Sequence, residues 1–120
     1  MPTVDPLAEF RTRWLPHVTD AGLTRLDELL SAASPLLVSG TFARAEPMGC
    51  LASHIAWNHP VTREADEAGV RWLAKVARLN PATSAVILAW DRAGPHDRDL
   101  RADLLAACRT ERSRRHALAW

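Results

Sequence analysis

The stretch MGCLASHIAWNHP, Met48 to Pro60, brings a thiol, two imidazoles and an indole together in one short run. On a helical wheel, at about 100° per residue, Met48, Leu51, Ala52 and Ile55 gather on one side. Cys50, Ser53, His54, Trp57 and Asn58 gather on the other. Cys50 and His54 stand four apart, so their side chains meet one turn above the other, and Trp57 continues the row. A thiolate and an imidazole at that spacing suit two ligands of a tetrahedral site for zinc or another divalent metal. His59 precedes Pro60, which biases its backbone out of the helical region and makes it the first candidate for a third ligand. Further ligands have to come from afar, and His17, His96, Cys108 and His116 form no second spaced pair. The same row also reads as a nucleophile with its base, Cys50 with His54. That chemistry needs a cationic surround to hold the thiolate, and no glycine-rich loop or nucleophile elbow accompanies it. The simplest reading is a central helix buried on both faces, since free cysteine and hydrogen-bonded histidine are common in cores. A partner-facing patch around Trp57 is the remaining one.

The run MGCLASHIAWNH resembles the DinB-like bundle family, whose members carry a metal-binding histidine late in a helix in a leucine-alanine-histidine context. His54 matches that position. The resemblance implies a helical bundle in which His54 is a metal ligand. It spans only this run, and the family's later H-x-x-x-H pair has no counterpart, because His96 and His116 stand singly.

The second region with chemical potential is the tail RTERSRRHALAW, with Arg109, Arg112, Arg114, Arg115 and His116. A basic helix of this kind can contact phosphates. Arginines late in a helix also complement its dipole and line a solvated face, and that reading is preferred. Glu111 and Asp103 dilute the charge, and no aromatic interleaving or helix-turn-helix spacing supports nucleic-acid recognition. Arg109, Arg112 and Arg115, with Trp57 and the terminal Trp120, are the candidate partner-binding residues. The carboxylates Glu64/Asp66/Glu67 and Asp97/Asp99/Asp103 fall at expected helix starts, where acids favour the dipole, and form no acid/base pair in an apolar setting.

The elements that must position these residues read as helix after helix. Asp5 caps a helix with Pro6 at its first position, running to Pro16. Thr19 or Asp20 opens the next, with Leu23, Leu26, Leu29 and Leu30 on one stripe. Residues 35–46 fit either a helical turn or a brief extended piece. Pro47 opens the helix that carries Cys50 and His54. Thr62 is expected to cap a helix over 63–79 with Ala65, Gly69, Trp72, Val76 and Leu79 inward. Asn80 and Pro81 start another, stopped by Gly94-Pro95, and Asp97 caps the last. No stretch alternates for long enough to make a strand. The expected fold is all-α, a compact bundle of five to six short helices forming one domain over residues 1–120.

Composition sets the outer bounds. The chain has 120 residues, 48% apolar and 24% charged, with a formal net charge of +1. Whole-molecule charge therefore draws it to neither nucleic acid nor membrane. Only Lys75 among the 15 basic residues is lysine, which reads as the coding bias of a GC-rich bacterial genome. MPTVDPLAEF lacks the features of a secretory signal, and no apolar run approaches the ~20 residues of a membrane span. Two cysteines are too few for a disulfide framework, so free thiols in a cytoplasmic protein are expected. The functional expectation is a non-enzymatic accessory or binding protein that acts on a protein partner or on a second copy of itself. No cofactor is required by it. The runners-up are the Cys50/His54/His59 metal or thiol site and nucleic-acid binding by the last helix.

Overall fold

A computed structural model describes residues 5–32, 37, 50–65, 68–93 and 97–118. Among them lie six α-helices and no β-strand: α1 (Pro6–Glu9), α2 (Asp20–Ser31), α3 (Leu51–Trp57), α4 (Ala68–Lys75), α5 (Pro81–Ala93) and α6 (Arg98–Leu118). The all-α expectation holds. The last helix, with 21 residues, is not short. The radius of gyration is 13.2 Å, close to the roughly 13.6 Å of a folded chain of this length.

Side-chain caps set most helix starts. The Asp5 carboxylate accepts from the Leu7 N–H at 3.1 Å, with Pro6 just inside the helix. Asn80 accepts from Thr83 N–H at 2.8 Å to open α5, and Asp97 accepts from Leu100 N–H at 2.9 Å to open α6. The Thr19 hydroxyl accepts from Gly22 N–H at 3.1 Å while donating to the Asn58 carbonyl at 2.7 Å. One hydroxyl thus caps α2 and fastens it to the end of α3.

The first helix does not stay α-helical to Pro16. After Glu9 it widens into a π segment, Phe10–Trp14, and then tightens into a 3-10 turn, Leu15–His17. Widened turns of this kind insert a residue into the helical register and re-aim side chains. Here Phe10 and Trp14 both turn fully inward, their rings 5.7 Å apart. The Trp14 indole meets the edge of Trp72 at 5.4 Å and donates to the Thr83 carbonyl at 3.0 Å. Trp14 therefore joins the N-terminal helix to α4 and α5. Trp72 and Trp90 are also buried, as are Leu23, Leu26, Leu29 and Leu30 on the expected stripe of α2.

Two expectations need correction around α4. Thr62 does not cap a helix. It lies buried in a run of turns and donates to the Ala56 carbonyl at 3.1 Å, which folds the chain back over α3 before α4 begins at Ala68. The helix also stops at Lys75, not at Leu79. Arg78 takes a left-handed φ of 55°, and the Leu79 N–H turns back to the Leu73 carbonyl. That is a helix stop at a left-handed residue, with arginine where glycine is usual. It swings Leu79 off the inner face and leaves it exposed.

Candidate functional site

Around the Cys50/His54 row the structure shows a packed interior. Cys50 is not inside the helix but at its N-cap, with extended backbone, and its carbonyl accepts from the His54 N–H at 3.1 Å. The expected start at Pro47 lies outside the described residues. Leu51 through Ala56 are all buried, so both faces of α3 are covered. Sγ of Cys50 faces the Ser53 hydroxyl at 3.7 Å, and the His54 ring meets Trp57 edge-on at 5.1 Å. Burial pushes the Cys50 thiol above its ordinary value, the reverse of what a nucleophile needs. His59 is half-buried, and its Nδ1 accepts from the Val61 N–H at 3.1 Å. Burial and then the nearby His17 lower its pKa. Among the described residues no three His, Cys, Asp or Glu side chains gather to hold a metal ion. The row is thus placed in the interior, buried on both faces of α3. Trp120 lies outside the described residues.

The arginines of the tail are brought together with partners that local spacing does not reveal. Asp20 pairs with Arg115, and Asp27 with Arg109 and Arg112, so α2 and α6 run antiparallel. The inner face of α6 is Leu104, Ala107, Cys108 and Glu111, an i, i+3, i+4, i+7 row. It sits against the leucine stripe of α2. On the solvent side the two helices bound an open groove of about 840 Å³. Its lining includes Asp20, Thr24, Asp27, Arg109, Arg112, Ser113, Arg115 and His116.

Two carboxylates form the anchors of this arrangement. Asp27, with a side chain 15% exposed, accepts from Arg109 Nε at 3.2 Å and from Arg112 Nη1 at 2.9 Å. Glu111 accepts from Arg114 at 2.9 and 2.6 Å and from Arg115 Nε at 2.7 Å. The hydrogen bond from Arg109 holds the Asp27 carboxyl below its ordinary value, and that from Arg114 does the same for Glu111. Both are ionised at neutral pH and hold the guanidinium planes in place.

The three candidate arginines differ in their roles. Arg115 donates to Glu111, to Asp20 at 3.0 Å and to the Leu15 carbonyl at 2.7 Å, which makes it a strut between α6, α2 and the N-terminal segment. Among the described residues Arg109 and Arg112 pair with Asp27 alone, and they leave 58% and 45% of their side chains in solvent. The groove therefore presents two guanidinium groups, oriented by a partly buried counter-charge and with their side chains about half in solvent. Sequence reasoning missed Asp27 and Glu111. Their signal was an acid in an apolar register: Asp27 beside Leu23, Leu26 and Leu30, and Glu111 in line with Leu104 and Cys108.

Compared with known protein families, with curated proteins and with solved structures, the chain finds no match.

Proposed function

We propose that the protein is a helical accessory protein that acts by binding, and that the α2–α6 groove is its contact surface. The observation that carries this is the placing of Arg109 and Arg112 on one wall, held by Asp27 and still about half exposed to solvent. Oriented arginines of limited freedom lose little entropy on engaging a partner, which is why arginine is enriched where interfaces concentrate their binding energy. The partner is another protein or a second copy of this chain. Leu118, 71% exposed near the end of the same helix, offers an apolar contact outside the groove lining. A nucleic-acid backbone suits the groove less well. Asp20, 90% exposed, stands on its rim, and Asp27 lies beneath, where a continuous run of phosphates would pass.

A photo-crosslinking side chain at Ser113, inside the groove, tests the reading against one at Leu88, exposed on α5. The expected outcome is a discrete adduct from position 113 that Arg112→Glu abolishes, with none from position 88. An adduct at twice 13.3 kDa identifies a second copy as the partner. Adducts only from position 88, or adducts at 113 indifferent to Arg112, refute the groove as the contact surface.

A further inference from the structure

The charges lining the groove specify what kind of group fits it. Three arginines, Arg109, Arg112 and Arg115, stand against two aspartates, Asp20 and Asp27, leaving one net positive charge among these five side chains. A single monoanion balances that lining. A phosphate dianion overfills it, close to Asp27 and Asp20. The site also shows which geometry its guanidinium groups accept, since Arg109 meets the Asp27 carboxylate through two nitrogens, Nε at 3.2 Å and Nη2 at 3.4 Å. Arg112, which lines the groove, uses only Nη1 on Asp27, so its Nε and Nη2 have no hydrogen-bond partner among the described residues. The volume of about 840 Å³ exceeds what a lone ion fills and lies within the range of sites that take extended organic ligands.

From these observations we infer that the groove recognises one carboxylate carried on a peptide segment, with Arg112 as the principal contact and Arg109 as the second. The inference rests on the groove being the contact surface and adds the chemistry of what enters it. Asp27 is a positioning residue: it holds both guanidinium planes and does not itself meet the ligand. Arg115 takes no part in the contact, because its nitrogens already serve Glu111, Asp20 and Leu15.

The test is a titration of the full chain followed by backbone-amide NMR. The probes are a blocked pentapeptide with one central glutamate, the same peptide with glutamine, inorganic phosphate and oligothymidylate. The glutamate peptide should shift Thr24, Asp27, Arg112 and Ser113 saturably and bind at least about tenfold more tightly than the glutamine peptide, as expected for charge-assisted hydrogen bonds. Arg112→Gln should weaken it about tenfold, Arg112→Lys should fall between, and Arg71→Gln on α4 should leave it unchanged. Phosphate or oligothymidylate binding more tightly than the glutamate peptide overturns the carboxylate assignment. So does equal binding of the glutamate and glutamine peptides, or no shift from either. If crosslinks from position 113 persist in those cases, only the ligand class is wrong. If they also vanish, the groove itself is refuted.

Discussion

Arg112 of α6 reaches the carboxylate of Asp27 on α2 across 2.9 Å, although 85 positions separate them in the chain. Arg109, one turn away, shares the same acid. Asp27→Ala removes the common acceptor and leaves two guanidinium groups side by side. Hydrogen bonds to charged groups contribute about 1.5–3 kcal/mol each when protected, and exposed ion pairs under about 1. With a mostly covered acid and half-exposed arginines, the expected loss is about 1–2 kcal/mol in denaturant melts. A loss below about 0.5 kcal/mol would mean that the clasp is solvated and contributes no stability.

Acid should loosen the same contact. The folded pKa values of Asp27 and Glu111 lie below their ordinary values of 3.8 and 4.5. Between folded and unfolded values the unfolded chain binds more protons, so stability falls as pH falls. Their contribution is complete above about pH 5 and is lost progressively as the pH drops through the folded values. His59, lowered from 6.5, works in the same direction at higher pH: protons taken up by the unfolded imidazole weaken the fold as pH falls from about 7 through the depressed value. Melting temperatures measured from pH 8 to pH 3 should decline in two stages. Asp27→Asn should flatten the lower stage, and His59→Gln the upper one.

Trp72 is wholly buried, meets Trp14 edge-on, and its Nε1–H has no hydrogen-bond partner among the described residues. Trp72→Ala should cost about 3–5 kcal/mol, the usual range for deleting a buried aromatic. Trp72→Phe keeps a ring and removes the unpaired donor, whose burial itself costs about 1–3 kcal/mol. It should cost less than half as much as alanine. Equal losses in urea melts would show that the indole N–H is satisfied.

What could be read from the sequence follows from which interactions are local. The leucine stripe of α2 and the inward Trp72 were visible because burial repeats at the helical period, and the Asp5, Asn80 and Asp97 caps because a cap acts within three residues. Thr62 misled because a threonine followed by acids looks like a helix start, while its hydroxyl is tied to Ala56, six residues back. The π segment left no signal that could be read beforehand. It is fixed by the packing of Phe10 and Trp14 against distant elements. Of the groove, the arginines were legible and their acids were not, because Asp27 and Arg109 meet only after α2 and α6 have packed.

The left-handed backbone at Arg78 carries a removable strain. An L-residue at positive φ costs roughly 1–2 kcal/mol relative to the right-handed region, and glycine avoids that cost. Glycine gives back about 0.5–1 kcal/mol through its freer unfolded state. Arg78 is exposed, so no packing is lost. Arg78→Gly should raise stability by about 0.5–1 kcal/mol, whereas Arg78→Val, β-branched at the same φ, should lower it. A destabilised glycine variant would show that the Arg78 side chain makes a contact that matters.

The two thiols should be silent. Cys108 lies at the α2–α6 interface, where burial first and the charge of Asp27 second push its pKa up to about 12. Cys50 is raised chiefly by burial, against the opposing hydrogen bonds of Ser53 and Ala52 at its sulfur. The thiolate is the reacting species, so a thiol that ionises so reluctantly and is also covered reacts only when the fold opens. In native protein at pH 8, iodoacetamide should label neither cysteine over a time in which denatured protein is labelled fully. Labelling of both should follow global unfolding as denaturant is added. Cys50→Ala should cost only a modest packing loss, and His54→Leu, in a buried site, should change stability without changing binding at the groove. Rapid native alkylation of Cys50, or loss of groove binding in a folded His54→Leu variant, would return the Cys50/His54 row to consideration as a site.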